Sequence, residues 1–163
     1  IAVAIRILWQ LTGMQGKESA MYIQELELFQ RIPSHIINEI AEFAVEEEYS
    51  TDQVLFRQGQ DAEYLYLLLD GQVAIMVEGE GKVVFPITEP GSIFGWSALV
   101  EPRKYTASAE FAMDSKVLKL DGERLLRLFE RFPAEGLLIM RRLAGVIAAR
   151  LLDSYQRLSI PKK

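Results

Sequence analysis

The apolar positions change their period twice along the chain, and the two changes divide it into three parts. In the first part the spacing is helical. Tyr22 to Leu28 predicts a short helix that stops near Phe29. Ile36, Ile37, Ile40, Phe43 and Ala44 recur at helical spacing, with Ser34 behind Pro33 as the expected N-cap. Carboxylates are unfavourable at the negative end of a helix, so this helix is predicted to end before Glu46-Glu47-Glu48. Ahead of these elements, Ile1 to Leu11 is apolar and predicts a packing helix with Ile1, Ile5, Leu8 and Thr12 on one face. The tail of an upstream segment, or an appended remnant, is the other reading of residues 1–20. Gly13 to Ser19 reads as a polar linker.

From Tyr49 to Leu120 the helical period disappears. Short apolar runs alternate with turn signals at Gln58-Gly59-Gln60-Asp61, Asp70-Gly71, Glu78-Gly79-Glu80-Gly81, Glu89-Pro90-Gly91 and Met113-Asp114-Ser115. That punctuation predicts many short antiparallel strands folded into a sandwich or barrel. Gly79-Glu80-Gly81, between Val73–Val77 and Lys82–Phe85, reads as a hairpin tip. Gly59 and Gly71 fall at tight turns where a positive φ is expected.

After Leu120 the period is helical again. Asp121 is a cap for a helix over Gly122–Phe132, with Leu125, Leu126, Leu128 and Phe129 turned inward. Pro133 suits the first turn of the next helix, which is expected to run to about Leu158. Leu137, Ala144, Leu151 and Leu158 fall seven apart, and Met140, Ile147 and Ser154 follow three later in each heptad. This seam predicts a homodimer through Leu137, Met140, Ala144, Ile147 and Leu151. Packing on the chain's own sheet is the alternative. The fold class expected is therefore α+β. An antiparallel, jelly-roll-like β-roll (a double-stranded β-helix) spans about 49–120. N-terminal helices and a long C-terminal helix flank it, and residues 21–163 form one domain.

Composition narrows the chemistry. The 163 residues are half hydrophobic and a quarter charged, which is the profile of a globular chain. There is no cysteine, so thiolate nucleophiles, thiolate metal sites and disulfides are excluded, and a reducing, cytoplasmic setting fits. A single histidine, His35, argues against a histidine metal cluster. Net charge is −5, which opposes general nucleic-acid affinity. Arg141-Arg142 is the best candidate for a local basic patch, with a solvated helix face as the plainer reading. The apolar N-terminal run is too short for a membrane span of about 20 residues. No Gly-x-Ser-x-Gly elbow or Walker sequence is present, and no nucleophile–base pair can be assembled, so an enzyme is not expected.

The chemistry-bearing stretch is Phe94-Gly95-Trp96-Ser97-Ala98-Leu99, followed by Tyr105-Thr106-Ala107. With Phe56-Arg57-Gln58-Gly59 and Leu69-Asp70-Gly71 upstream, it resembles the cyclic nucleotide-binding domain family, which includes the catabolite-activator-like regulators. The resemblance covers about Leu28 to Leu158. It implies a phosphate-binding cassette of Phe-Gly-Glu, a short apolar helix, then Arg, a small residue and Ala. In that cassette backbone N–H groups and a guanidinium hold the cyclic phosphate and the carboxylate faces the ribose hydroxyl. Here Trp96 stands in the glutamate position and Tyr105, nine residues on, in the arginine position. Arg103 and Lys104 are the nearby cations that a loop shift would bring to a phosphate. Phe94, Gly95, Trp96, Ser97, Ala98, Arg103, Lys104, Tyr105, Thr106 and Ala107 thus form the candidate pocket. Trp96 and Tyr105 either fill it or stack on a planar ligand. Asp61 and Glu63 read as turn caps, with ligand contact as the alternative.

The function expected is that of a regulatory ligand sensor without a resident cofactor, taking a nucleotide or another small ligand. It is not expected to bind cyclic AMP by the Glu/Arg mode, and the pocket state passes to the C-terminal helix. A ligand-free dimerisation scaffold with a plugged pocket, and the sensor piece of a longer transcription regulator or fusion, are the alternatives.

Overall fold

In a computed structural model, residues 16–79 and 83–158 are described. The expected packing helix at Ile1–Leu11 and the hairpin tip at Glu80-Gly81 lie outside them. Two four-stranded antiparallel sheets stack as a β-roll, with helices against one face. Helix α1 (Gly16–Glu25), a 3₁₀ turn (Glu27–Phe29) and α2 (Ser34–Glu42) lead into the strands. The first sheet has the order β1-β8-β3-β6: β1 is Ala44–Tyr49, β3 Tyr64–Asp70, β6 Ile93–Phe94 and β8 Ser115–Asp121. The second has the order β2-β7-β4-β5, with β2 Val54–Phe56, β4 Val73–Val77, β5 Val83–Ile87 and β7 Ser108–Phe111. A 3₁₀ turn, Trp96–Leu99, follows β6; α3 (Gly122–Arg131) and α4 (Pro133–Leu158) close the chain.

Strand alternation divides the core in two. On β3, Leu65, Leu67 and Leu69 turn toward the helices, where they meet Ile37, Ile40, Leu125 and Ile139. Tyr66 and Leu68 turn the other way, into the space between the sheets with Phe56, Phe94 and Phe111. A strand buried on both faces has no polar side, which is why Tyr64-Leu65-Tyr66-Leu67-Leu68-Leu69 reads as one apolar run.

Several boundaries differ from the sequence expectation, each for a local reason. Strands begin at Ala44, not Tyr49, and the acidic run lies inside β1. Lysines of the neighbouring strand neutralise it: Lys116 Nζ lies 2.6 Å from Glu48 and 3.7 Å from Glu46, and Lys119 Nζ 2.5 Å from Glu47. Opposite charges across a strand pair stabilise pairing that glutamate's own propensity would oppose. Phe43 is the C-cap of α2, and Ala44 has already left the helix. Ser34 is the first helical residue and makes no side-chain cap. Pro33 is the cap, and its carbonyl accepts from the N–H groups of Ile36 (3.0 Å) and Ile37 (3.2 Å). Residues 16–19 of the expected linker are helical, because Ser19 and Ala20 are small enough to pack into the core edge beside Ile23. The short helix expected over Tyr22–Leu28 is accordingly an earlier helix ending at Glu25, then the 3₁₀ turn. Strand β5 starts at Val83 and continues through Pro86 to Ile87.

Other details agree. Asp121 Oδ1 accepts from the Arg124 N–H at 2.9 Å, and Pro133 opens α4. Gly71 takes φ +94°, and a Cβ there would fall 2.7 Å from the Asp114 carbonyl oxygen, so its lack of a side chain is required.

Candidate functional site

The cassette sits where the two sheets and α4 converge. Phe94 ends β6, buried between the sheets, with its ring centroid 5.4 Å from that of Tyr66. Gly95 then turns the chain with φ +74°, and a Cβ would meet the Tyr64 carbonyl oxygen and the Tyr66 ring, both at 3.0 Å. Only glycine combines that φ with that approach. Its carbonyl accepts from the Ala98 N–H at 3.1 Å, which winds Trp96–Leu99 into the 3₁₀ turn.

A pocket of about 280 Å³ opens beside this turn. Phe56, Ile75, Val77, Phe85 and Phe94 form its floor on the β-roll. Gly95, Trp96, Ser97, Tyr105, Thr106 and Ala107 form one rim, and Ile147, Arg150, Leu151 and Ser154 of α4 form the facing wall. Of the ten sequence-predicted residues, Phe94, Gly95, Trp96, Ser97, Tyr105, Thr106 and Ala107 are brought together here. Ala98 is fully buried behind the turn against Gly122. Arg103 and Lys104 are not part of the lining. Lys104 Nζ is paired with Asp61 at 2.5 Å on the exposed loop surface. Arg103 takes φ +56°, its carbonyl accepts from the Ala62 N–H at 2.8 Å, and its Nε is buried without a partner. Asp61 and Glu63 also stay outside the lining. Asp61 serves Lys104, and the Glu63 carbonyl accepts from the Gly122 N–H at 2.8 Å.

The two aromatic replacements behave differently. Tyr105 is only 5% exposed and belongs to the wall. Its ring stacks on Phe56 at 3.7 Å and 9°, its hydroxyl donates to the Tyr64 carbonyl at 3.0 Å, and the Tyr64 N–H donates back at 3.3 Å. Its own backbone bonds both ways with the Arg57–Asp61 loop, through Gly59 N–H and Gln60 C=O. Burial pushes its phenol pKa up. The residue in the arginine's position is therefore a staple between strand and loop. Trp96 is half-buried, packs against the helix-side core and shows a face to the pocket. Neither residue closes the cavity.

The facing wall has no pocket signature in the sequence. Ile147 and Leu151 fall in the heptad pattern that predicts a dimer seam. Arg150 carries no motif, and its only signal is its place between two apolar helical neighbours. Its guanidinium carbon lies 5.3 Å from the Trp96 ring centroid. Arg142, expected on a solvated face, donates instead to the carbonyls of Leu28 (3.1 Å) and Gln30 (2.6 Å), tying α4 to the first 3₁₀ turn.

Two antiparallel sheets close over an apolar pocket, with a glycine-led 3₁₀ turn at its rim and a long helix across its mouth. The chain matches the cyclic nucleotide-binding domain family over residues 46–132, and it belongs to that family. It is 29% identical over 114 residues to the cyclic AMP receptor protein of Thermus thermophilus, covering 69% of this chain and 51% of that protein. Over 127 residues it is 27% identical to the potassium channel SKOR of Arabidopsis thaliana, covering 75% of this chain and 15% of the channel. The chain thus spans about half, or much less, of the length of these relatives. A solved structure of a candidate cyclic nucleotide-binding protein from Geobacter metallireducens superposes with a TM-score of 0.73 at 30% identity, covering 82% of this chain and 98% of that one. The protein is a regulatory domain of this family. Among the described residues no helix is long and apolar enough to cross a membrane.

Proposed function

We propose that this domain senses a small molecule in the β-roll pocket and relays its presence through α4, without binding cyclic AMP by the family's glutamate and arginine. It acts by binding, not catalysis, and works in the cytoplasm. One observation carries the relay: the pocket is shared between two bodies. The β-roll supplies its floor and rim, and residues 147–154 of α4 supply its far wall. The first half of the same helix is fixed in the core by Ile139 and Leu143 and tied by Arg142 to the N-terminal turn. A ligand that fills the pocket fastens the outer half of a 26-residue helix, about 39 Å long, whose inner half is already anchored.

Hydrogen exchange tests this. A compound that raises the melting temperature by binding the native state is sought among cyclic AMP, cyclic GMP, linear nucleotides and small organic anions. It is expected to slow amide exchange across 147–158 more than across β1 or β8. Stabilisation with unchanged exchange in α4 would refute the relay.

We also propose that α4 pairs with a second copy, which makes the dimer the output of the sensor. Leu137 is 61% exposed and Leu151 49%, with Leu152 and Tyr155 beside them. Three of the five expected seam residues, Leu137, Ala144 and Leu151, face outward. Met140 and Ile147 turn toward their own domain, and the exposed stripe is Leu137, Arg141, Ala144, Ala148, Leu151 and Tyr155. Light scattering at tens of micromolar, roughly the usual assay range, is expected to give the mass of two chains. Leu137→Glu is expected to halve it, and a monomer in the wild type counts against the pairing.

A further inference from the structure

Among the described residues that line the pocket, Arg150 alone has a charged side chain. Phe56, Ile75, Phe85, Ile147 and Leu151 make the surrounding walls apolar. Arg150 reaches the site from α4, on the opposite side from the cassette, and its guanidinium lies over the Trp96 ring. Burial pulls its pKa below the ordinary arginine value, against the field of Asp153. That carboxylate is itself bonded to Arg157 Nε at 2.8 Å. A cation half withdrawn from water thus borders a pocket with no carboxylate in its lining among the described residues. The indole face offsets part of its lost hydration. A guanidinium carries its N–H donors in its own plane, the arrangement that suits a bidentate carboxylate acceptor.

We propose that the pocket takes a planar, apolar-bodied monoanion of the aryl carboxylate class, with Arg150 binding the carboxylate and the aromatic and aliphatic walls enclosing the ring. This rests on the reading of the pocket as a sensing site, and it names the ligand class. A cyclic nucleotide suits the same pocket less well. Its ribose hydroxyl and base amine need partners, and each polar group buried without one is costly. The neutral hydroxyls among the described lining residues are those of Ser97, Thr106, Ser154 and Tyr105; Ser154 already donates to the Arg150 carbonyl at 2.9 Å, and Tyr105 is bonded to the Tyr64 backbone. The cavity, about 280 Å³, lies just below the usual range for ligand pockets, roughly 300–1,000 Å³. A bicyclic arene with one acidic group fits that space. Because the cation rides on α4, the anion itself draws the helix onto the pocket.

Three probes of one shape and different charge test this: 2-naphthoate, 2-naphthamide and 2-naphthylmethylamine, each titrated by calorimetry. The acid is expected to bind at least about tenfold more tightly than the amide, the low end of what a charge-assisted hydrogen bond contributes. The amine is expected to bind worst. In Arg150→Gln the acid and the amide should bind equally, and in Arg150→Lys part of the preference should return. Equal binding of acid and amide to the wild type overturns the proposal. So does a preference that survives Arg150→Gln, or no binding of any probe. An Arg150-dependent preference that leaves α4 exchange unchanged supports the ligand class while sinking the relay. Failure of the charge series beside slowed α4 exchange with another ligand does the reverse.

Discussion

Tyr105→Ala is expected to destabilise the domain by about 3–5 kcal/mol, the cost of truncating a buried aromatic side chain. For a chain of this size that lowers the melting temperature by roughly 6–20 °C. Tyr105 stands where the family's ligand-binding arginine would stand, so a ligand role would predict almost no effect on the unliganded protein. The structure puts it in the wall instead, stacked on Phe56 and bonded to both backbone groups of Tyr64. Tyr105→Phe separates packing from hydrogen bonding. It keeps the ring and leaves the Tyr64 carbonyl without its donor, at a cost of about 1–3 kcal/mol. Urea unfolding with an unchanged m-value measures both. A loss below about 1 kcal/mol for Tyr105→Ala, within the range of ordinary surface substitutions and small effects, would mean that the ring is not a staple.

The parts of the fold that are legible in the sequence are those whose cause is local. Asp121 caps α3 with its own side chain, Pro133 starts α4, and the turn glycines mark where strands end. The unbroken apolar run of β3 marks a strand covered on both faces. What cannot be read depends on partners far along the chain. Glu46, Glu47 and Glu48 look like a helix terminator until Lys116 and Lys119 are placed beside them, some seventy residues later in the sequence. Ser34 differs for a local reason: Pro33 holds the cap position and Ser34 is already the first helical residue, a boundary shift of one residue.

The site divides in the same way. Phe94, Gly95 and Ser97 follow from the cassette, where glycine's conformational freedom and the short turn leave a sequence trace. The α4 wall leaves an ambiguous trace, because a heptad of apolar residues does not say which of two surfaces each member meets. Ile147 faces the pocket, and Leu151 borders it while staying half exposed. Arg103 and Lys104 are the cations that sequence proximity to the cassette offers. The cation at the pocket is Arg150, brought there by tertiary packing.

Cyclic AMP is expected to bind the wild type weakly or not at all, and Trp96→Glu combined with Tyr105→Arg is expected to create or strengthen binding. The cassette backbone favours the gain. Gly95 already holds its left-handed turn, Ser97 lies at the rim, and the Tyr105 main chain is pinned by Gly59 and Gln60, so a new side chain there starts from a fixed Cα. Each restored charge-assisted contact is worth about 1.5–3 kcal/mol. Two opposing effects reduce the sum. Trp96→Glu sets a carboxylate near Arg150, which now covers the indole face, and the pair will compete with the ligand. Tyr105→Arg removes the stack on Phe56, so the variant starts from a less stable protein. The net gain expected is about 2–4 kcal/mol, or roughly 30- to 900-fold in affinity. Calorimetry on both proteins decides the matter, with circular dichroism to verify that the double variant is folded. A wild-type Kd at or below about 10 μM, roughly −7 kcal/mol, would show that the pocket holds the cyclic phosphate by other means. Arg150→Gln would then identify those means, because an affinity that collapses in that variant assigns the phosphate to the helix. A folded double variant that gives no heat would instead show that the pocket rejects the nucleotide by shape, whatever charges it is given.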